Sequence, residues 1–218
     1  PVAMLGGRKR GKEQGGQTPD ASKRSWQKTL ALGGVLGGLC LMLASVTQQI
    51  GLVHTSAGKA GFITALYLLF VPVFRFFAGK KPAMSLWICV LAALAGLYLL
   101  CVKEGFSLNK GDLFVLICAL IFTVHILVID RFAPQVDCVK LSCIQAFVVA
   151  FTTAIPMFLF EKPEFTVILS CWGPLLYLGV VSGGIGYTLQ ILGQKRADPT
   201  VASLILSLES VFAAICGV

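Results

Sequence analysis

The 218 residues are 56% hydrophobic and 13% charged, with a mean hydropathy of +0.85, which excludes a soluble globular domain. A formal net charge of +8 would suit nucleic acid, but seven of the eighteen Lys and Arg residues are bunched between Arg8 and Lys28. The charge therefore marks one segment, and no nucleic-acid partner is expected.

Residues 1–29 are rich in Gly, Lys, Arg, Gln and Ser, a composition that cannot bury a core and predicts a flexible basic loop. Within it Gly6, Gly11 and Lys12 approach the phosphate-cradling pattern G-x-x-x-x-G-K-[ST]. Glu13, however, stands where a hydroxyl must meet Mg²⁺, and no strand precedes. Seven apolar runs follow, at about 30–52, 60–79, 84–102, 113–129, 141–160, 171–193 and 199–218. Runs of ~20 apolar residues at 1.5 Å per residue cross the hydrocarbon core, and only a helix satisfies its own backbone there without a closed barrel. The predicted fold class is an all-α polytopic bundle with the lipid bilayer as its solvent. The loops obey the positive-inside rule: with 1–29 cytoplasmic, that side receives fourteen Lys and Arg residues, and the other receives Lys59, Lys103, Lys110 and Lys162.

An internal repeat organises the runs. Gln48–Phe74 returns in diverged form as Leu189–Phe212: Thr47 maps onto Thr188 and Gln49 onto Gln190 with a shift of 141, and Val73-Phe74 maps onto Val211-Phe212 with a shift of 138. The copies lie five spans apart, an odd number, so they cross the membrane in opposite senses, as in many secondary transporters. Small-residue pairs Gly33/Gly37, Gly34/Gly38, Ala92/Gly96 and Gly179/Gly183 predict close helix packing. The eight cysteines are scattered, without a C-x-x-C pair or a His at ligand spacing, so neither a metal site nor a cofactor is expected.

The stretches T-S-A-G-K-A-G-F-I-T-A-L-Y (55–67), V-P-V-F (71–74), K-G-D-L (110–113) and A-S-L-I-L-S-L-E-S-V-F-A-A (202–214) resemble the EamA family of the drug/metabolite transporter superfamily. The resemblance implies a ten-helix transporter of two five-helix repeats with both termini cytoplasmic. The spans here are similar to helices three to nine, with 30–104 ending the first repeat and 111–218 forming a truncated second. Two helices are then expected before Pro1 and one after Val218, and these residues alone should not transport. The implied activity is not catalysis but export of a small-molecule substrate, an amino acid or related amine or carboxylate, across the bacterial inner membrane. A coupling proton and a homodimeric state stay open. Ser210 stands where the family usually has the proline of E-P-V-F, a proline that Pro72 keeps in the first copy as an expected hinge.

Glu209 is the sharpest candidate, because an ionisable side chain near the bilayer midplane costs at least ~2.5–3.5 kcal/mol and so faces a cavity or a partner. Its alternative role is a hydrogen bond to a neighbouring helix. Gly183, Tyr187, Gln190 and Gln194 recur at i, i+4, i+7 and i+11, placing them on one helical face that should turn inward. Ser45, Gln48, Gln49, Thr64 and Tyr67 are the counterparts in the first copy, while Ser203, Ser207 and Ser210 form a packing face. His125 is a candidate protonatable group in the cavity. His125 and Asp130 also match the H-x-x-x-x-D spacing of glycerolipid acyltransferases, but five residues place them ~140° apart on a helix. That leaves a lipid-modifying enzyme as one alternative to transport and a membrane sensor or scaffold as the other. His54 and Lys59 are expected to be solvated in the outer loop, and Arg75 to snorkel to the cytoplasmic interface.

Overall fold

A computed structural model describes residues 19–80, 83–101, 109–160, 163–209 and 211–212. The Gly6, Gly11, Lys12 pattern, Lys81, Lys103, Lys162, Ser210 and the tail 213–218 lie outside the described residues. The described elements are helical throughout: α1 (Pro19–Leu52), α2 (Ala57–Thr64), α3 (Tyr67–Phe77), α4 (Met84–Cys101), α5 (Lys110–Phe132), α6 (Cys138–Phe160), α7 (Phe165–Ser170), α8 (Trp172–Leu176), α9 (Tyr187–Gln194) and α10 (Pro199–Leu206). Five segments are long and apolar enough to cross a membrane: Arg24–Leu52, Ala57–Phe77, Lys110–Gln135, Cys138–Phe160 and Trp172–Gln194. Met84–Gly96 is a shorter apolar helix. The protein is an all-α membrane bundle.

Helix α1 starts at Pro19, so residues 19–29, expected as loop, are helical. Trp26 supplies the reason. Its indole packs against a core of Leu30, Ile129, Ala133, Val136, Cys138, Leu141 and Ile191, and Lys140 Nζ lies 5.3 Å above the ring centroid. An aromatic anchor with a cation over its face orders the basic turns that composition alone would leave loose.

Helix α5 is the central post, contacting α1, α2, α3, α9 and α10. Lipid tails are as apolar as leucine, so what holds helices together here is close van der Waals approach. Gly33, Gly34, Gly37 and Gly38 of α1 provide it. A Cβ added at Gly33 would sit 2.7 Å from Phe132, one at Gly34 2.4 Å from Ile144, one at Gly37 2.9 Å from Gln145, and one at Gly38 2.7 Å from Val148. At the other end Gly111 lets α5 pass 2.7 Å from the carbonyl of Gly51 as measured from such a Cβ. Among the described residues the other two expected pairs do not pack: an added Cβ at Gly96 or Gly179 meets nothing within 4 Å, and at Gly183 it meets only the Leu178 carbonyl of its own helix at 3.1 Å. We expect Gly34→Leu to destabilise the full-length protein in detergent by roughly 1–3 kcal/mol, since α1 and α6 must part. Gly96→Ala should be neutral or stabilise by up to ~1 kcal/mol; a thermal unfolding series compares the two.

Contacts between the chain's loops sort cleanly onto two ends. One end joins Trp26 to Lys140, Arg75 to Asp198, and Lys195 Nζ to the Val136 carbonyl at 3.2 Å. The other joins His54, Thr55 and Lys59 to Asn109 and Asp112. These are the two sets into which the charge rule sorts the loops. Span 30–52 thus runs from the first end to the second and 172–194 from the second to the first, while 57–77 returns to the first end and α10 leaves it, so the two copies are inverted. Their paired threonines behave alike, Thr47 donating to the Leu43 carbonyl at 2.8 Å and Thr188 to the Gly184 carbonyl at 2.6 Å, each four residues back. Cysteines introduced at Lys28 and Lys195 should be shielded from an impermeant thiol reagent in intact cells, and one at Lys110 should be labelled.

Candidate functional site

The span Ala57–Phe77 is broken at its middle. Ser56 caps α2 by accepting the Lys59 N–H at 3.4 Å. At Ala65 and Leu66 the winding tightens: Leu66 N–H donates to Ile63 O at 3.1 Å, Leu68 to Ala65 O at 2.9 Å, and Leu69 to Leu66 O at 2.9 Å, all three residues back. Such a 3₁₀ stretch inside a helix marks a hinge or strain. Pro72, the expected hinge, is instead buried within continuous α3, as membrane helices allow when neighbours satisfy the freed carbonyl. Helix α3 stops at Gly79, whose φ of 79° and the bonds Lys80 N–H to Arg75 O and Gly79 N–H to Phe76 O, both 3.0 Å, form a Schellman motif.

Polar groups from both copies gather around the break. Gln48 Nε2 of α1 donates to Thr64 Oγ1 at 3.4 Å, uniting two expected site residues. Tyr67 opens α3 just below, buried with Val71 and Ile126 against Phe122 and Leu206. Glu209, three residues past the end of α10, is exposed, and its charge reaches Tyr67 and Tyr187. One tyrosine thus comes from each copy. Gln49 is exposed and Gln190 half-buried, and neither makes a side-chain hydrogen bond among the described residues.

Two expectations are corrected. Gly183 does not continue the α-helical face of Tyr187 and Gln190, because Tyr177–Gly186 winds as a π-helix with a wider turn. His125 is not in the group around Glu209. It is fully buried between helices, its Nε2 3.2 Å from Gln145 Oε1 of α6, with Gly37 of α1 closing over the Gln145 amide. Asp130 instead lies in the fields of Arg75, Lys80 and Asp198. His125 and Asp130 therefore share no site.

Lys59 is not merely solvated. Its side chain is 14% exposed and its Nζ is 2.6 Å from Asp112 Oδ2, on a carboxylate only 2% exposed. Thr55 Oγ1 donates to the same carboxylate at 2.7 Å, Asn109 N–H donates at 2.8 Å, and Asn109 returns an acceptor to Asp112 N–H at 3.0 Å in a capping box. At the opposite end Arg75 pairs with Asp198, the N-cap of α10. Burial pulls the Asp198 carboxyl up, but the hydrogen bonds from Arg75 and from Thr200 N–H outweigh it and hold it below the usual carboxylate range. A lowered folded-state value means the pairing stabilises fully above the free carboxylate's pKa of about 3.9 and is lost as pH falls through the lower folded value. Asp198→Asn should remove that acid limb from a pH series of thermal unfolding.

The profile of the EamA-like transporter family matches the chain twice, over residues 13–102 and 109–218. The chain belongs to that family. It is also 31% identical over 180 residues to an uncharacterized transporter of Archaeoglobus fulgidus, an alignment covering 81% of this chain. The chain spans 56% of that relative's length. A solved crystal structure superposes with a TM-score of 0.63 at 21% identity, covering 87% of this chain and 79% of the other, and so shares the fold. The motifs in which the resemblance was legible are thus joined in space: Thr55 and Lys59 of the first copy close on Asp112 of the second.

Proposed function

We propose that this EamA-family protein is a secondary transporter that exports small organic metabolites, amino acids or related amines and carboxylates, by alternating access of its two inverted copies. The double match to a transporter family carries the reading. It is supported by the break at Ala65–Leu66, beside which Gln48 meets Thr64, and by the charge of Glu209, which reaches Tyr67 of the first copy and Tyr187 of the second. Polar groups at membrane depth are expensive unless they line a cavity or meet a partner. Glu209 is assigned the coupling proton, and the plasma membrane, in bacteria the inner membrane, is the seat of the activity. Full-length protein in liposomes, screened with labelled amino acids, amines and carboxylates under an imposed pH gradient, should give saturable flux of one class. The absence of flux across the panel, or lipid turnover in the same vesicles, would overturn the reading.

A further inference from the structure

We infer that α3 is the moving half of a hinged span: it pivots at Ala65–Leu66 and opens the cytoplasmic side by parting from α10, while α2 stays fixed on α5. This rests on the alternating-access reading above. The two halves are held very differently. Helix α2 is tied to the start of α5 by the Lys59–Asp112 pair, with Thr55 and Asn109 on the same carboxylate, and by Ala60 and Ile63 packed on Val115. A buried carboxylate with several charge-assisted bonds does not let go readily. Helix α3 is buried only near the pivot, at Tyr67, Leu68, Val71 and Pro72, whereas Phe74, Phe76 and Phe77 are exposed. Among the described residues its far end is joined to α10 by the ion pair Arg75–Asp198, whose side chains are 15% and 42% exposed. A pair with its carboxylate half in solvent is released more readily than one with its carboxylate buried.

The joint between the halves has the tightened winding of a hinge, with the bonds of Leu66, Leu68 and Leu69 each reaching three residues back. Helix α3 is about 16 Å long by its rise, so a kink of about 20° moves its Arg75 end by about 5 Å, enough to part the pair. The guanidinium is not abandoned when it moves. Asp130 on α5 already feels Arg75, Lys80 and Asp198, and offers a second carboxylate along the swing. The pivot lies beside the Gln48–Thr64 contact, so the opening reaches the polar group at mid-depth.

The test uses the full-length protein without its native cysteines, carrying Thr64→Cys, in inside-out vesicles that present the cytoplasmic face to an impermeant maleimide. Arg75→Asp and Asp198→Arg should each speed labelling about fivefold, and the combined swap should return it to near the parent rate. Arg75→Gln gives a milder rise in the same direction, and Lys59→Met gives none. The inference is overturned if the single reversals label at the parent rate, if the swap labels as fast as they do, or if Lys59→Met matches Arg75→Asp. Labelling needs no substrate. Flux is read on the full-length protein with Thr64 in place: its absence there with this labelling pattern intact would sink the transport reading alone, and intact flux with indifferent labelling would sink the hinge alone.

Discussion

Asp112→Ala is expected to destabilise the folded bundle by roughly 3–5 kcal/mol, because removing one partner of a buried ion pair leaves a poorly compensated charge. The carboxylate is 2% exposed and receives Lys59 at 2.6 Å, Thr55 Oγ1 at 2.7 Å and Asn109 N–H at 2.8 Å. Its loss therefore also uncaps α5, the helix on which most of the others rest. Asp112→Asn keeps an acceptor for Thr55 and should fall between. Combining Lys59→Met with Asp112→Leu should recover most of the loss, since an apolar pair of similar volume often replaces a buried ion pair at no cost. Thermal or denaturant unfolding of the detergent-solubilised full-length protein reads all three. A loss below about 1 kcal/mol for Asp112→Ala is the value for a solvated surface pair, and would remove the fixed anchor on which the swing of α3 depends.

What could be read from the residues was whatever the bilayer dictates. Hydrocarbon thickness sets the length of an apolar run, so five of the seven expected runs are legible as spans among the described residues, and the repeat makes the opposite senses of its two copies legible too. What could not be read depended on which residues meet. Lys59 and Arg75 look like solvent and snorkelling groups because their partners, Asp112 and Asp198, lie 53 and 123 residues away along the chain. The capping pattern of Asn109 and Asp112 was available as a local signal that the carboxylate is held, though not that it reaches across to Lys59. Pro72 drew attention from the break at Ala65–Leu66, where no breaker residue stands. The tightening there coincides with a change of neighbours, Ala60 and Ile63 packing on Val115 above it and Tyr67 and Val71 on Ile126 below. Glycine spacing foresaw the α1 stripe but also marked Gly96 and Gly179, where an added Cβ meets none of the described residues within 4 Å. Spacing shows that a face can be approached closely and not that a helix is there. For His125 the residue type was informative and the face was not: Gln145, 20 residues on, takes its ring nitrogen.

Glu209→Gln is expected to reduce gradient-driven flux to background while leaving substrate exchange within about threefold of the parent. A coupling carboxylate must gain and lose a proton in each cycle, which the amide cannot do, although it keeps the shape and most of the hydrogen bonds. One interhelical hydrogen bond altered in a membrane is worth about 0.6 kcal/mol, hence the threefold allowance for exchange. The placement argues for coupling over structure. Glu209 acts on Tyr67 from the first copy and Tyr187 from the second, and a phenol can turn its proton toward an ionised carboxylate and away from a neutral one. On the proposed reading, an ionised Glu209 would draw the two copies together and a protonated one would release them, which would link the proton to the relative position of the copies. Tyr67→Phe and Tyr187→Phe should therefore each lower gradient-driven flux about threefold and shift its pH dependence, a change that a packing role would not produce. Equal loss of flux and exchange in Glu209→Gln would assign the carboxylate to substrate binding or to the fold. Flux at the parent level would take it out of the mechanism and leave the proton to another group.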